Sequence, residues 1–370
     1  GRGQGRPARA RRRATQVKRL IVPVFLNQAG CPERCVYCNQ GAMSPDRPAQ
    51  DAAQSAAAEP RGLPADEEVR GRIDAYLESA SRAKKPFGQK EIAFYGGTFT
   101  GLALRAQERL LAVARAYVER GAVQGLRVST HPALVGAQAV ERLRRFGVTC
   151  VELGVQSTDD EVLRRCGRSY GFREVEDAVA RLRGARIRVG LQLMPGLPGA
   201  SAASDLRSSR QVIALEPDSV RVYPTLVYRG TALAADWESG AYECLSLDEA
   251  LERSAETLAL AQDAEIPVIR VGVHAASDAD PQLLAGPVHP SFGYLAHVRA
   301  LSLRIERRVA ALGVGVGAVD LLVSDRDRGT LLGPGGEALD RLRSVFAPIL
   351  LRVAYGKDLK RGSLRVSAAV

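Results

Sequence analysis

The sequence predicts an α/β fold: a partial or near-complete (βα) barrel over residues 20–300, then a small C-terminal α+β extension over 301–370. Three observations carry this expectation. Apolar, β-rich runs alternate with helix-length amphipathic segments, which is the pattern of parallel βαβ units. The runs are nearly continuous in apolar residues, as strands covered on both faces require. After about residue 300 the alternation changes, and a domain boundary is placed there. Six or seven such units suit a barrel better than a flat doubly wound sheet. In either fold, chemistry collects at the carboxyl ends of the strands.

The elements follow in order. The first 20 residues, GRGQGRPARARRRATQVKRL, carry eight basic side chains and no acidic one. Such a stretch cannot bury a core, so residues 1–19 read as a disordered arm. Its charge serves to attract phosphate, or is only the solvated product of an arginine-rich coding bias (46 Arg against 6 Lys). LIVPVFLN (20–27) is the first strand, and the cysteine-rich CPERCVYCNQ (31–40) follows it. SPDRPAQDAAQSAAAEPRGLP (44–64) reads as a mobile connection. Further strands are EIAFYGG (91–97), LRVSTHP (126–132), CVELGVQS (150–157), RIRVGLQLMPG (186–196), SVRVYPTLV (219–227) and IPVIRVGVH (266–274). Helices are predicted over 102–121, 132–147, 173–184 and 246–264, where apolar residues recur at helical spacing.

Composition narrows the class. A 370-residue chain that is 46% apolar can build a large core. No run of about 18 apolar residues reads as a membrane span. Six cysteines in so long a chain do not form a secreted disulfide framework, and a reducing cytoplasm fits. Cys150, Cys166 and Cys244 are scattered and read as buried, inert thiols. Cys31, Cys35 and Cys38 are clustered, just past the first strand and therefore at the barrel mouth. A structural zinc site would add a fourth Cys or His in a second knuckle, and none is near; His131 or His289 would have to come from afar. The spacing C-x3-C-x2-C instead suits a [4Fe–4S] cluster with three irons on thiolates and one left open for a ligand.

That spacing, with Tyr37 directly before the third cysteine, resembles the radical S-adenosylmethionine (SAM) superfamily. The resemblance implies a [4Fe–4S] cluster whose open iron is chelated by SAM. It also implies reductive cleavage to a 5′-deoxyadenosyl radical and an electron donor such as a flavodoxin or ferredoxin. Tyr95-Gly96-Gly97-Thr98-Phe99 resembles the family's Gly-Gly-Glu motif near the SAM amino group, in the Gly-Gly-Thr-Phe form of the branch containing the catalytic subunit of the Elongator tRNA-modifying complex. VSTHP (128–132) is similar to the same branch, with Ser129 where the coproporphyrinogen oxidase branch has a SAM-binding carboxylate. VELGVQS (151–157) implies that Gln156 bonds the SAM ribose or carboxylate, and Arg168, twelve residues on, matches an arginine on that carboxylate. LMPGLPG (193–199), with Met194, resembles the turn near adenine. Segments 220–251 and 286–295 also fit the branch; Tyr223 and Tyr228 are candidate pocket residues, and Tyr223 and His289 candidate catalytic groups. Read without the motif order, the glycines are turn residues and Arg168 a solvent-facing helix residue.

The resemblance covers roughly residues 20–300 and departs from both branches. The chain as read ends at Val370 with no acetyl-CoA pyrophosphate loop, so an acetyltransferase domain is not expected. Gln40, with Asn39 before it, stands where the porphyrin branch carries a further cysteine.

The tail has its own pattern. From Val319, a β run, the loop Gly333-Pro334-Gly335-Gly336, an amphipathic helix (337–346) and a second β run (348–355) resemble the core of a KH-type RNA-binding module. Such modules use G-x-x-G so that backbone amides and a helix N-terminus meet phosphates. Pro334 and Gly335 replace the usual basic residue inside the loop. The candidate RNA contacts are Gly333, Gly336, Lys357, Lys360 and Arg361, with Arg365 close by; a small α+β cap with a tight glycine turn is the other reading. Two functions stand beside each other: a radical SAM enzyme acting on RNA, foremost tRNA, and one acting on a small metabolite. A third is an RNA-binding protein with a structural metal.

Overall fold

The computed structural model describes residues 19–27, 29–38, 63–83, 86–272, 281–313 and 315–369. The predicted arm before Arg19, Asn39, Gln40, the connection up to residue 62 and residues 273–274 lie outside them.

Strands are numbered in chain order: β1 (Arg19–Phe25), β2 (Gln89–Tyr95), β3 (Gly125–Thr130), β4 (Val148–Gln156), β5 (Arg188–Leu193), β6 (Ser219–Val222), β7 (Val227–Tyr228) and β8 (Val268–Val271). All but β7 form one parallel sheet in the order β1-β2-β3-β4-β5-β6-β8. The sheet curls into a half-barrel with β1 and β8 as its edges, the partial barrel expected from the sequence. Parallel strands need crossovers, and helices supply them. These are α1 (Asp66–Ser81), α2 (Leu104–Glu119), α3 (Ala137–Arg145), α4 (Asp160–Arg165), α5 (Phe172–Gly184), α6 (Ala202–Ala214), α7 (Ala232–Glu238) and α8 (Leu247–Asp263). Their apolar faces cover the outer face of the sheet. Leu110, Leu111 and Tyr117 of α2 and Val175, Val179 and Leu182 of α5 meet Ile92, Phe94, Leu126, Val151 and Val189 in one large core.

Local chemistry fixes the helix starts. Ser201, Ser246 and Asp159 accept N–H bonds from the first turns of α6, α8 and α4, partners that N-cap oxygens supply. Two elements depart from the sequence reading. The run 219–227 is one predicted strand but breaks at Pro224, and β7 pairs antiparallel with β9 (Leu283–Ala285) instead. α1 escapes periodicity because only Val69 and Ile73 of its sixteen residues are buried.

α9 (Phe292–Ala310) runs straight across residue 300. Its first half packs against α8 through Phe292, Ala296 and Ala300, and its second half gives Leu301, Ile305 and Val309 to a separate C-terminal core. That core holds β10 (Ala318–Ser324), α10 (Arg328–Leu332), α11 (Glu337–Phe346), β11 (Leu350–Gly356) and β12 (Leu364–Ala368), with sheet order β11-β10-β12. β10 and β11 are parallel and β12 is antiparallel to β10. The loop Gly333–Gly336 joins α10 to α11, and Gly333, Gly335 and Gly336 all take positive φ. Among the described residues no helix is long and apolar enough to cross a membrane.

Candidate active site

The carboxyl ends of the strands surround a cavity of about 780 Å³. Cys31, Cys35 and Cys38 line it, half-buried on the loop that leaves β1. Gly30 takes φ +75°, and a Cβ there would stand 2.3 Å from the Thr98 carbonyl oxygen. Only glycine therefore lets this loop lie against the one leaving β2, to which it is stitched by the Thr98 N–H donating to the Ala29 carbonyl (3.0 Å). The Cys38 N–H closes a turn on the Cys35 carbonyl (3.0 Å). The Thr98 hydroxyl donates to Cys31 Sγ (3.5 Å), and Arg168 Nη1 donates to Cys35 Sγ (3.2 Å).

Arg168 is only 8% exposed. It donates through Nη1 to the Tyr37 hydroxyl (3.2 Å), through Nη2 to the Gly154 carbonyl (3.0 Å) and through Nε to the Tyr170 hydroxyl (2.9 Å). The Gly154 carbonyl is available because β4 bulges between Gly154 and Gln156, where Gln156 adopts φ 65°. Tyr170 donates to the same region, 2.9 Å from the Gly154 oxygen and 2.7 Å from that of Val155. Gln156 is held by Gln192, whose Nε2 donates to its Oε1 (3.1 Å). Burial opposes the charge on Arg168, but the neighbouring Tyr37, Tyr170 and Cys35 hold it firmly protonated. No carboxylate hydrogen-bonds it in the described structure, while Glu33 is near enough to feel its charge.

Glu33, inside the cysteine loop, ties that loop to two other walls. Its Oε1 accepts from the Ser169 N–H (2.7 Å) and hydroxyl, and its Oε2 lies 3.2 Å from His131 Nε2. Burial alone would raise the Glu33 pKa; the Ser169 hydrogen bonds, His131 and Arg168 bring it below its ordinary value. His131 is pushed down to about 4, by burial first and by Arg168 second. Its ring stands edge-on to Tyr170 with centroids 4.6 Å apart, and its Nδ1 is buried without a hydrogen-bond partner in the described structure.

The inner face of the half-barrel carries a charge network. Buried Arg127 donates to Glu91 Oε2 (2.7 Å) and to Glu152 Oε1 (2.6 Å). Arg188 also binds Glu91, and Arg221 binds Glu152 with Nε 2.7 Å from Oε2. Arg221 further donates to the hydroxyls of Tyr95 and Tyr223, both at 2.9 Å. Sequence reading missed this network. Its signal is that nearly every "apolar" strand carries one charged residue, which an inward-facing polar position requires.

The structure brings most of the sequence candidates together. Tyr37, Gly96, Gly97, Thr98, Ser129, Gln156, Arg168, Met194 and Tyr223 all line the cavity with the three cysteines. Gly96 alone of the glycine pair takes a positive φ, 71°. His289 is not among the lining residues; its Nδ1 accepts the Ser291 N–H (3.0 Å) and its carbonyl the Phe292 N–H, at the start of α9. Tyr228 lies outside the lining too. In the C-terminal unit, Arg361 is ion-paired with Asp327 (3.3 Å), which joins the turn holding Lys357 and Lys360 to the start of α10.

The donor set fits an iron–sulfur cluster. Among the described residues no three His, Cys, Asp or Glu side chains stand close enough to share one metal ion. A cubane asks for something else, since each thiolate meets a different iron. Hydrogen-bond donors stand on two of the three sulfurs, one of them a guanidinium.

Comparison with known proteins agrees with this chemistry. Residues 28–205 match the family model of the radical SAM superfamily, and residues 217–302 that of the radical SAM C-terminal domain. The chain is 29% identical over 241 residues to the tRNA uridine(34) acetyltransferase of Dehalococcoides mccartyi (strain CBDB1), covering 60% of this chain and 52% of that protein. It is 28% identical over 330 residues to Elongator complex protein 3 of Bos taurus, covering 80% and 58%. The chain spans about half the length of the curated relatives it matches. The fold is shared with the archaeal Methanocaldococcus infernus Elp3 lacking its N-terminus (1–46), at TM-score 0.56 and 22% identity over 80% of this chain and 64% of that one.

Proposed function

Because the chain belongs to the radical SAM superfamily, we propose that it is an enzyme that holds a [4Fe–4S] cluster on Cys31, Cys35 and Cys38, binds SAM beside it, and modifies RNA, with tRNA as the substrate. The observation that carries the reading is the single cavity in which the three cysteines meet Gln156, Arg168 and the Gly96–Thr98 turn. When bound, the two cofactors supply a 5′-deoxyadenosyl radical that abstracts hydrogen from the substrate.

The chain's own residues prepare that chemistry. Thr98 and Arg168 direct donors at the Cys31 and Cys35 sulfurs and hold them in place. Of the five N–H groups of Arg168, four are engaged, leaving one on Nη2 for the SAM carboxylate. Gly96 and Gly97 allow backbone to approach the SAM amino group closely, and Gln156 is oriented by Gln192 to bond its ribose or carboxylate. Met194, packed with Val162, Cys166 and Leu197, offers an apolar wall for adenine. Glu33 positions the cysteine loop by gripping Ser169 and His131.

The tRNA assignment rests on the names of the relatives, on the basic arm, and on the C-terminal unit. There the order β10–α10–G-x-x-G–α11–β11 supports a KH-like phosphate clamp at Gly333 and Gly336, with Lys357, Lys360 and Arg361 on the turn between β11 and β12.

Anaerobic reconstitution of the full chain tests the reading. It predicts about four irons per chain and 5′-deoxyadenosine on reduction with SAM. Cys31→Ala, Cys35→Ala or Cys38→Ala should abolish both, whereas Cys244→Ala should leave both intact. Zinc in place of iron, or no 5′-deoxyadenosine from the wild-type chain, would overturn it.

A further inference from the structure

We propose that Arg270, on the far wall of the cavity from the cysteine loop, is the seat for a phosphate group of a nucleotide substrate. The inference rests on the RNA-modifying reading above and names where its substrate's charge is held.

Strand register supplies the first observation. Gly154, Gln192, Arg221 and Arg270 form one continuous row of in-register partners across β4, β5, β6 and β8. All four line the cavity. The row therefore begins at the carbonyl that holds Arg168 and ends at Arg270, three strand spacings or about 14 Å away. Arg221 and Arg270 stand directly beside each other, an arrangement of like charges that costs stability in a sheet.

Charge balance is the second. Five guanidiniums, those of Arg19, Arg127, Arg188, Arg221 and Arg270, belong to inner-face positions of the strands, against the two carboxylates of Glu91 and Glu152. Each carboxylate already binds two arginines, Glu91 taking Arg127 and Arg188, Glu152 taking Arg127 and Arg221. Neither is ion-paired with Arg270 in the described structure. Arg270 stands over the Tyr223 ring, 6.0 Å from guanidinium carbon to centroid. A partly buried guanidinium beside a second arginine, facing a cavity, with no carboxylate among its described partners, is suited to an incoming anion. The planar fork matches the oxygens of a phosphate.

The aromatic part of the cavity lining selects a nucleotide over a simple acid. Phe25 is 47% exposed and lines the same cavity, as does Tyr223; aromatic faces of this kind stack nucleobases. A nucleotide is about as long as the row from Arg270 to Gly154. With its phosphate on Arg270, its base or ribose lies toward the cysteine end, where the chemistry occurs.

The test is equilibrium dialysis of radiolabelled uridine 5′-monophosphate and uridine against the reconstituted full chain, with the non-cleavable S-adenosylhomocysteine occupying the cofactor site. The wild type should hold the monophosphate about tenfold or more tightly than the nucleoside. Arg270→Gln should remove that difference, Arg270→Lys should retain part of it, and Arg173→Gln on the exposed face of α5 should leave it whole. Circular-dichroism melts of each variant confirm folding. Equal binding of the two probes by the wild type, or a preference that survives Arg270→Gln in a folded protein, would overturn the proposal. Failure of the cluster reading shows separately, as a wild-type chain that makes no 5′-deoxyadenosine yet still prefers the monophosphate.

Discussion

Replacing Gly30 by alanine should damage both the fold and the cluster site, and the size of the effect follows from two features of the structure. At φ +75° an L-residue pays about 1–2 kcal/mol of backbone strain. The new Cβ would lie 2.3 Å from the Thr98 carbonyl oxygen and 2.9 Å from the Leu102 nitrogen, both backbone atoms that cannot swing aside; overpacking of this kind costs about 1–3 kcal/mol. Together they give a loss of about 2–5 kcal/mol, a large share of the 5–15 kcal/mol that holds a typical domain. If the loops separate to relieve the clash, Thr98 withdraws its hydroxyl from Cys31 and iron content falls. Gly71→Ala is the matched control. Gly71 lies inside α1 with nothing within 4 Å of its Cβ position, so alanine should gain about 0.5–1 kcal/mol. Urea unfolding of the full chain, with iron counted after reconstitution, reads both. A Gly30→Ala protein with wild-type stability and wild-type iron would refute the argument that loop apposition shapes the site.

Two further outcomes follow from the same contacts. Arg168→Met should weaken SAM binding about tenfold or more yet change the stability of the metal-free chain little. Tyr170 still satisfies the Gly154 carbonyl, and a buried charge without a carboxylate partner is removed; a loss of several kcal/mol in the metal-free chain would contradict this. The second concerns pH. His131 has its pKa depressed to about 4, so between its ordinary value and 4 the unfolded chain takes up a proton that the folded chain refuses. Stability should therefore fall by about 2 kcal/mol from pH 7 to pH 5, and the depressed Glu33 pKa adds loss of the same sign at lower pH. Urea unfolding of His131→Gln across that range should show a flatter profile, and an unchanged slope would argue against a buried neutral imidazole.

The sequence carried the fold through its strand–helix alternation, because near-continuous apolar runs such as EIAFY and CVELGV leave little choice but a covered parallel sheet. Cysteine spacing and the order of the later motifs located the cavity, since each motif sits at a strand's carboxyl end. Contacts between distant residues were not legible. Glu33 meets Ser169 and His131 across 136 and 98 positions of chain, and no local pattern announces such a tether. The inner-face network of Glu91, Arg127, Glu152 and Arg221 was visible only as single charges interrupting apolar strands. His289 illustrates the converse: flanking prolines made it conspicuous, while the fold uses it at the start of α9. Proline also explains the split of the sixth run, where Pro224 ends β6 and the chain pairs with β9 instead.

The most direct test of the central claim is mass spectrometry of tRNA nucleosides from cells with and without the gene. Loss of a modified nucleoside on deletion is expected, restored by the wild-type gene but not by Cys31→Ala or Cys35→Ala. Identical nucleoside profiles in the two strains would contradict a tRNA-modifying role.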